Sequence, residues 1–347
     1  MLSTILKYPV LAILSIGKKN FRNMGRTIGK SGDTVLRCLC ESTISIEQAQ
    51  NISFLMFKNK KRLFCIIDDT LIKKIYSKLM QGSGKFYDTA ISRRITAYRL
   101  VVSMISDGKL AIPIDYAYLF SKELLERMDE QFPSKDDWAK KFVLVAKSLF
   151  PNADIIVLAD GLYSTVKFLT WCKENKISSE MRMHSNRKVI YHGRKISLKE
   201  LSQLPWITLR GRRMCRTVTA IWHDLEVEIT IVRRLDKHGE ESIVFQVATY
   251  KARPSLHAAH YKIRWNIEKF NRTAKQELGL EDCFSTDFDR QHRHVAAILL
   301  AYALSQWEMK RAKLKTPEEA IRQLKTKNYI QTIHQFARLE RSLDVYA

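Results

Sequence analysis

Arg62-Leu-Phe-Cys-Ile-Ile-Asp-Asp-Thr70 decides how the rest of the chain is read, because an unbroken apolar run of strand length stops at two adjacent carboxylates. An apolar run with no alternation fits a strand covered on both faces. Acids at the mouth of such a strand are candidates for chemistry. Working outward, Tyr98–Ser106 and Leu110–Leu119 predict two more strands joined at Asp107-Gly108, a three-stranded meander. Trp138 to Phe150 carries Phe142, Val145, Ala146 and Leu149 at helical spacing. Ala153-Asp-Ile-Ile-Val-Leu-Ala-Asp160 then predicts a second buried strand that also ends in an acid.

A helix from about Thr165 to Asn175 and a strand near Ile177–Met183 complete the series. Three strands, a helix, a strand, a helix and a strand make a mixed α/β layer order that matches the ribonuclease H-like arrangement, with helices flanking the sheet. The expected organisation is a helical N-terminal region over 1–58, the first part of the core over 59–186, a β-rich insertion over 187–252, the rest of the core over 253–312, and a basic helical tail over 313–347. The insertion rests on the β-prone runs Thr217–Trp222, Leu225–Arg233 and Ser242–Tyr250. In the N-terminal region, two short helices joined at Gly29 resemble a helix-turn-helix, with Arg26, Lys30, Thr34 and Arg37 as candidate DNA contacts. Gln81-Gly-Ser-Gly-Lys85 lacks the spacing of a phosphate loop and is read as a connector.

Lys and Arg number 59 against 36 Asp and Glu, a net charge of +23. That excess points to a polyanionic partner. A membrane is disfavoured, since no apolar run approaches the roughly 18 residues a spanning helix needs and the cations are spread along the chain. The apolar N-terminus has its positive charges, Lys18, Lys19 and Arg22, on the wrong side for a signal peptide, so a cytoplasmic protein is expected. Six scattered cysteines, with only a C-x-C pair at Cys38 and Cys40, fit free thiols.

The third acid comes from Tyr261-Lys-Ile-Arg264-Trp-Asn-Ile-Glu268-Lys-Phe-Asn-Arg-Thr-Ala-Lys275. At about 100° per residue, Tyr261, Arg264, Glu268 and Lys275 fall within roughly 60° of one another on one helical stripe. Ile263, Ile267, Phe270 and Ala274 supply an apolar stripe against a core. Asp69, Asp160 and Glu268 would converge if the two acid-tipped strands are neighbours and this helix packs across them. Such a cluster suits a hard divalent cation such as Mg2+. The plainer reading of the helix is a solvated face laced with Arg–Glu pairs.

The spacing Tyr261-x2-Arg264-x3-Glu268-x6-Lys275 resembles the signature of the insertion-sequence-four family of DDE transposases. In that family the first acid is the last Asp of an apolar-(Asp/Glu)-Asp-Thr strand end, so the resemblance assigns the role to Asp69 rather than Asp68, and the second acid to Asp160. It implies cut-and-paste DNA transposition with two Mg2+ ions (Mn2+ substituting), hairpinned transposon ends and a synaptic homodimer. Asp69, Asp160 and Glu268 would hold the metals. Tyr261, Arg264 and Lys275, with Arg182 as a further candidate, would grip DNA phosphates, and Trp206 or Trp222 would stack a flipped base. Gly161-Leu-Tyr after the second Asp departs from the more polar residues of many relatives. The alternatives are a ribonuclease H-like nuclease without strand transfer and a non-catalytic DNA-binding descendant of a transposase.

Overall fold

The run Leu63–Ile67 does form a buried strand, but the strand does not end at the acids. The computed structural model describes residues 4–41, 43–77, 79–128, 132–205, 207–208, 213–235, 238–327 and 329–344. In it β1 spans Arg62–Lys73. Asp68 and Asp69 therefore lie inside β1, at the level where one neighbour, β5 (Asp154–Ala159), runs out while the other, β3 (Arg93–Ser106), continues. In the chain, β1 and β3 are separated by β2 (Gly84–Asp88), which begins within the Gln81–Lys85 connector. Its pairing with β3, from Gly84↔Ala97 to Asp88↔Arg93, supplies the backbone partners that a short polar segment cannot find alone. β4 (Ala111–Leu119) pairs the outer edge of β3.

Two helices, α5 (Lys122–Met128) and α6 (Lys135–Leu149), precede β5, and a 3-10 turn at Gly161–Tyr163, α7 (Val166–Glu174) and β6 (Ser178–Met183) follow it. To number the helices in chain order, α1 (Thr4–Leu14), α2 (Phe21–Thr27), α3 (Gly32–Glu41) and α4 (Glu47–Phe57) come before β1. β1 runs antiparallel to β3 and parallel to β5, and β5 runs parallel to β6. With β4 on the far side of β3, this is the ribonuclease H-like mixed sheet, flanked by helices.

The β-rich segment does not form a separate layer. It contains β7 (Lys188–Tyr191), β8 (Arg194–Ser197), α8 (Leu198–Leu201), β9 (Ile207–Thr208), β10 (Arg213–Trp222), β11 (Leu225–Leu235) and β12 (Glu241–Ala248). β12 pairs antiparallel with β6, from Phe245↔Met183 to Ala248↔Glu180, so the insertion extends the core sheet in the order β6-β12-β11-β10-β7-β8. Then come α9 (Pro254–Ile263), α10 (Trp265–Gln276), α11 (Phe288–Arg311), α12 (Pro317–Thr326) and α13 (Tyr329–Asp344).

α11 is buried on nearly every side from His294 to Gln306, as befits the central helix of a large core. The N-terminal helices pack onto it. Tyr8 Oη meets His294 Nδ1 at 2.9 Å, and His294 Nε2 meets the Gly279 carbonyl at 2.9 Å. Burial, aided by Lys74, pushes the His294 pKa down to about 3, so it sits in the core as a neutral ring. α2 and α3 form the expected short pair. Gly29 takes a left-handed φ of 64°, and a Cβ on Gly25 would stand 2.5 Å from the Lys30 carbonyl oxygen, so only glycine admits this close crossing. Arg22, Arg26, Lys30 and Arg37 are exposed on this pair, and Thr34 is half-buried.

Candidate active site

Register decides which carboxylates meet. In the parallel pair β1/β5, Phe64 lies beside Ile156 and Ile66 beside Leu158. Residues at the same level of a parallel pair point to the same face, and the pairing ends at Ile67 and Ala159, one residue before Asp68 and Asp160. Asp160 holds extended backbone angles, φ −76° and ψ 170°, so the alternation carries through it before the chain turns. The even face of β1 looks toward α9 and α10: the Phe64 ring lies 5.1 Å from His260, and Asp68 Oδ2 accepts a hydrogen bond from Arg264 Nη1 at 2.9 Å. Burial pushes the Asp68 pKa up to about 7, against the opposing pull of Arg264, and Asp69 and Asp160 add to the rise.

Asp69 belongs to the opposite face. Its Oδ1 accepts from Lys135 Nζ at 2.6 Å, and Arg99 Nε lies 3.6 Å from its Oδ2. Lys135 is placed by the start of α6, where Ser134 and Asp137 form a reciprocal capping box, and its ammonium also sits 4.2 Å from the centre of the buried Tyr163 ring. Asp69 is thus clamped between two cations and is not brought to Glu268.

The helical stripe of the third acid is divided. α9 stops at Ile263 and α10 starts at Trp265, with Arg264 between them in the αR region. Three-residue hydrogen bonds, Arg264 N to Tyr261 O at 3.1 Å and Ile267 N to Arg264 O at 3.1 Å, tighten the chain across the joint. Arg264 is the hub of the site: one guanidinium nitrogen holds Asp68, the other makes a short contact to Glu268 Oε1, and its plane lies 5.6 Å from the centre of the Tyr261 ring. Glu268 is 35% exposed, whereas Arg264 is only 9% exposed, so the site opens at Glu268. Burial pushes the Tyr261 phenol up to about 12; Arg264 and Arg182 oppose the rise and Asp160 adds to it. Tyr261, Asp160 and Arg182 therefore share one neighbourhood. Arg182 is exposed on β6.

Lys275 sits two turns farther along α10. Its ammonium donates to the Leu71 carbonyl at 2.7 Å and lies 3.4 Å from Glu281, so it is tied to the far end of β1 rather than turned toward Glu268. Trp222 is buried, with Arg187 5.7 Å above its ring, and Trp206 lies outside the described residues. At Gly161, a Cβ would stand 3.2 Å from His184 Nε2, a tight contact but one with a side chain.

One buried cluster escaped the sequence reading. Glu180 Oε2 accepts from Tyr250 Oη at 2.8 Å and pairs with His257 Nδ1 at 3.1 Å, while Tyr250 Oη also meets His260 Nδ1 at 2.8 Å. It fastens α9 to β6 one turn before Tyr261. No signal in the sequence joins residues so far apart, although His257 and His260 at helical spacing beside Tyr261 hinted at a second polar stripe.

The donors of the site, carboxylate oxygens, suit a hard divalent cation. The arrangement does not admit one as it stands, because Arg264 already bridges Asp68 and Glu268, and among the described residues no three His, Cys, Asp or Glu side chains converge on one point. Residues 132–304 match the family described as transposase DDE domain, a match that supports a DDE transposase and that includes Asp160, Arg182, Tyr261, Arg264, Glu268 and Lys275 while beginning after β1. No curated protein matches the chain. Among solved structures, the chain is similar to the NurA nuclease from Sulfolobus solfataricus, with 12% identity and a TM-score of 0.25, covering 62% of this chain and 78% of that one.

Proposed function

We propose that the chain is a DDE transposase that cleaves DNA at transposon ends and joins the freed 3′-hydroxyl to target DNA, with Asp68, Asp160 and Glu268 as its acid set. The observation that supports this reading is that a single guanidinium links Asp68 to Glu268, while the parallel β1/β5 pairing ends at Ile67 and Ala159, one residue before Asp68 and Asp160. Asp68 takes the place that the family resemblance gave to Asp69, because side chains alternate along β1.

In this reading the three acids hold two Mg2+ or Mn2+ ions, which when bound would activate a water or a 3′-hydroxyl and stabilise the leaving oxygen. Tyr261, Arg264 and Arg182 form the phosphate-facing side of the same cleft, and Lys275 joins them once its tie to Leu71 is exchanged for a phosphate. The exposed cations of α2 and α3 supply a second DNA contact. Hairpinned ends and a synaptic homodimer belong to the proposal through the family resemblance alone, and a cytoplasmic setting is part of the same proposal. No described helix is long and apolar enough to cross a membrane.

Glu268→Gln should abolish Mg2+-dependent nicking of transposon-end DNA while leaving end binding near the wild-type level. Nicking at the wild-type rate by that variant would overturn the reading.

A further inference from the structure

We infer that Arg264 is an internal counter-ion that keeps the acid set closed to divalent metal until a DNA phosphodiester takes over its guanidinium. The inference rests on the proposed acid set. Asp68 and Glu268 meet on one guanidinium, and two carboxylates held this close need a cation between them. Here the cation is Arg264, whose two terminal nitrogens each hold one of the acids. The guanidinium is enclosed rather than draped over the surface: it is 9% exposed, backed by the Tyr261 ring, and fixed at the joint between α9 and α10.

A divalent cation held by Asp68 and Glu268 would draw on the carboxylates that the guanidinium now neutralises, so the two cations would compete. The planar fork that fits a pair of carboxylate oxygens fits the two free oxygens of a phosphodiester equally well. A DNA backbone entering beside Tyr261 and Arg182 offers Arg264 such a partner. When the fork turns to phosphate, Asp68 and Glu268 each regain an oxygen for metal. DNA binding and metal binding then favour one another, and the coupling is reciprocal.

The test is Mn2+ binding to the full chain, read from the loss of the free-Mn2+ paramagnetic resonance signal, with and without a short blunt-ended DNA duplex. Wild type should bind Mn2+ weakly alone and on the order of tenfold more tightly with DNA, the usual scale of such coupling. Arg264→Gln should bind Mn2+ tightly without DNA and gain nothing further from it. Arg264→Lys, a compact charge that cannot span both acids, should fall between them, and it serves if the glutamine variant does not fold. Equal Mn2+ affinity of wild type with and without DNA, unchanged in either variant, would overturn the counter-ion role. The acid set is tested separately: Asp160→Asn and Glu268→Gln should each weaken Mn2+ binding to the DNA-bound wild type, and no weakening would sink the site assignment itself.

Discussion

Asp68 and Asp69 are neighbours in sequence and opposites in setting. On the α10 face, Asp68 shares one guanidinium with Glu268 and feels Asp160 nearby, so carboxylates outnumber the cations they touch. On the α6 face, Asp69 is held by both Lys135 and Arg99, so cations outnumber carboxylates. An acid with surplus cations is a structural tie. On the proposed assignment the cluster with surplus negative charge is the binding site, and one position along a strand separates the two.

The comparison breaks most sharply at the acids themselves. Asp68→Asn should lower the nicking rate by on the order of 10³-fold, the scale seen when a group stabilising transition-state charge is removed. Asp69→Asn should leave nicking nearly intact; the opposite ranking in a rate assay would return the catalytic role to Asp69. Next in size, His257→Leu leaves the buried Glu180 carboxylate with Tyr250 as its hydrogen-bond partner and should cost about 1–3 kcal/mol in denaturant unfolding. No change would show that the cluster does not fasten α9. Lys135→Met removes one arm of the Asp69 clamp, and because that pair is partly exposed the loss should be about 1 kcal/mol or less, with nicking unchanged.

Acid should act on the core before it acts on the surface pairs. The His294 pKa is lowered from 6.5 to about 3, so the unfolded chain binds a proton there that the folded chain refuses. Stability contributed by neutral His294 is therefore complete above about pH 6.5 and is lost as pH falls toward 3. His294→Gln should flatten that part of a stability-against-pH curve, and an unaltered slope would show the ring is not the titrating group. The smallest effect belongs to Lys275→Ala, which should make the salt dependence of DNA binding shallower by about 0.9 in log–log slope if Lys275 contacts one phosphate.

Much of the order of strands and helices was legible because it is local. The helical pattern of Trp138–Phe150 falls in α6 and its C-cap, and the Asp107-Gly108 hairpin forms as its turn residues require, with Gly108 at φ 95°. The facing of Asp68 and Asp69 was not legible, since Leu63–Ile67 is apolar throughout and a strand buried on both faces shows no alternation from which to count. Only the register with β5 fixes it. The break at Arg264 was hidden too, because neither Pro nor Gly marks it. The merging of the insertion with the core sheet depends on β12 meeting β6, a pairing between segments that no local pattern connects.

The contact of Tyr8 with His294 spans 286 positions. During synthesis the part of α1 that α11 covers stays open until α11 has been made, 286 positions after Tyr8 in the case of His294. The α2–α3 pair, carried between α1 and the rest of the core, gains its fixed place at the same late moment. A prematurely terminated product lacking α11 would therefore emerge without a seated N-terminal unit, and with a greasy helix for chaperones and proteases to recognise.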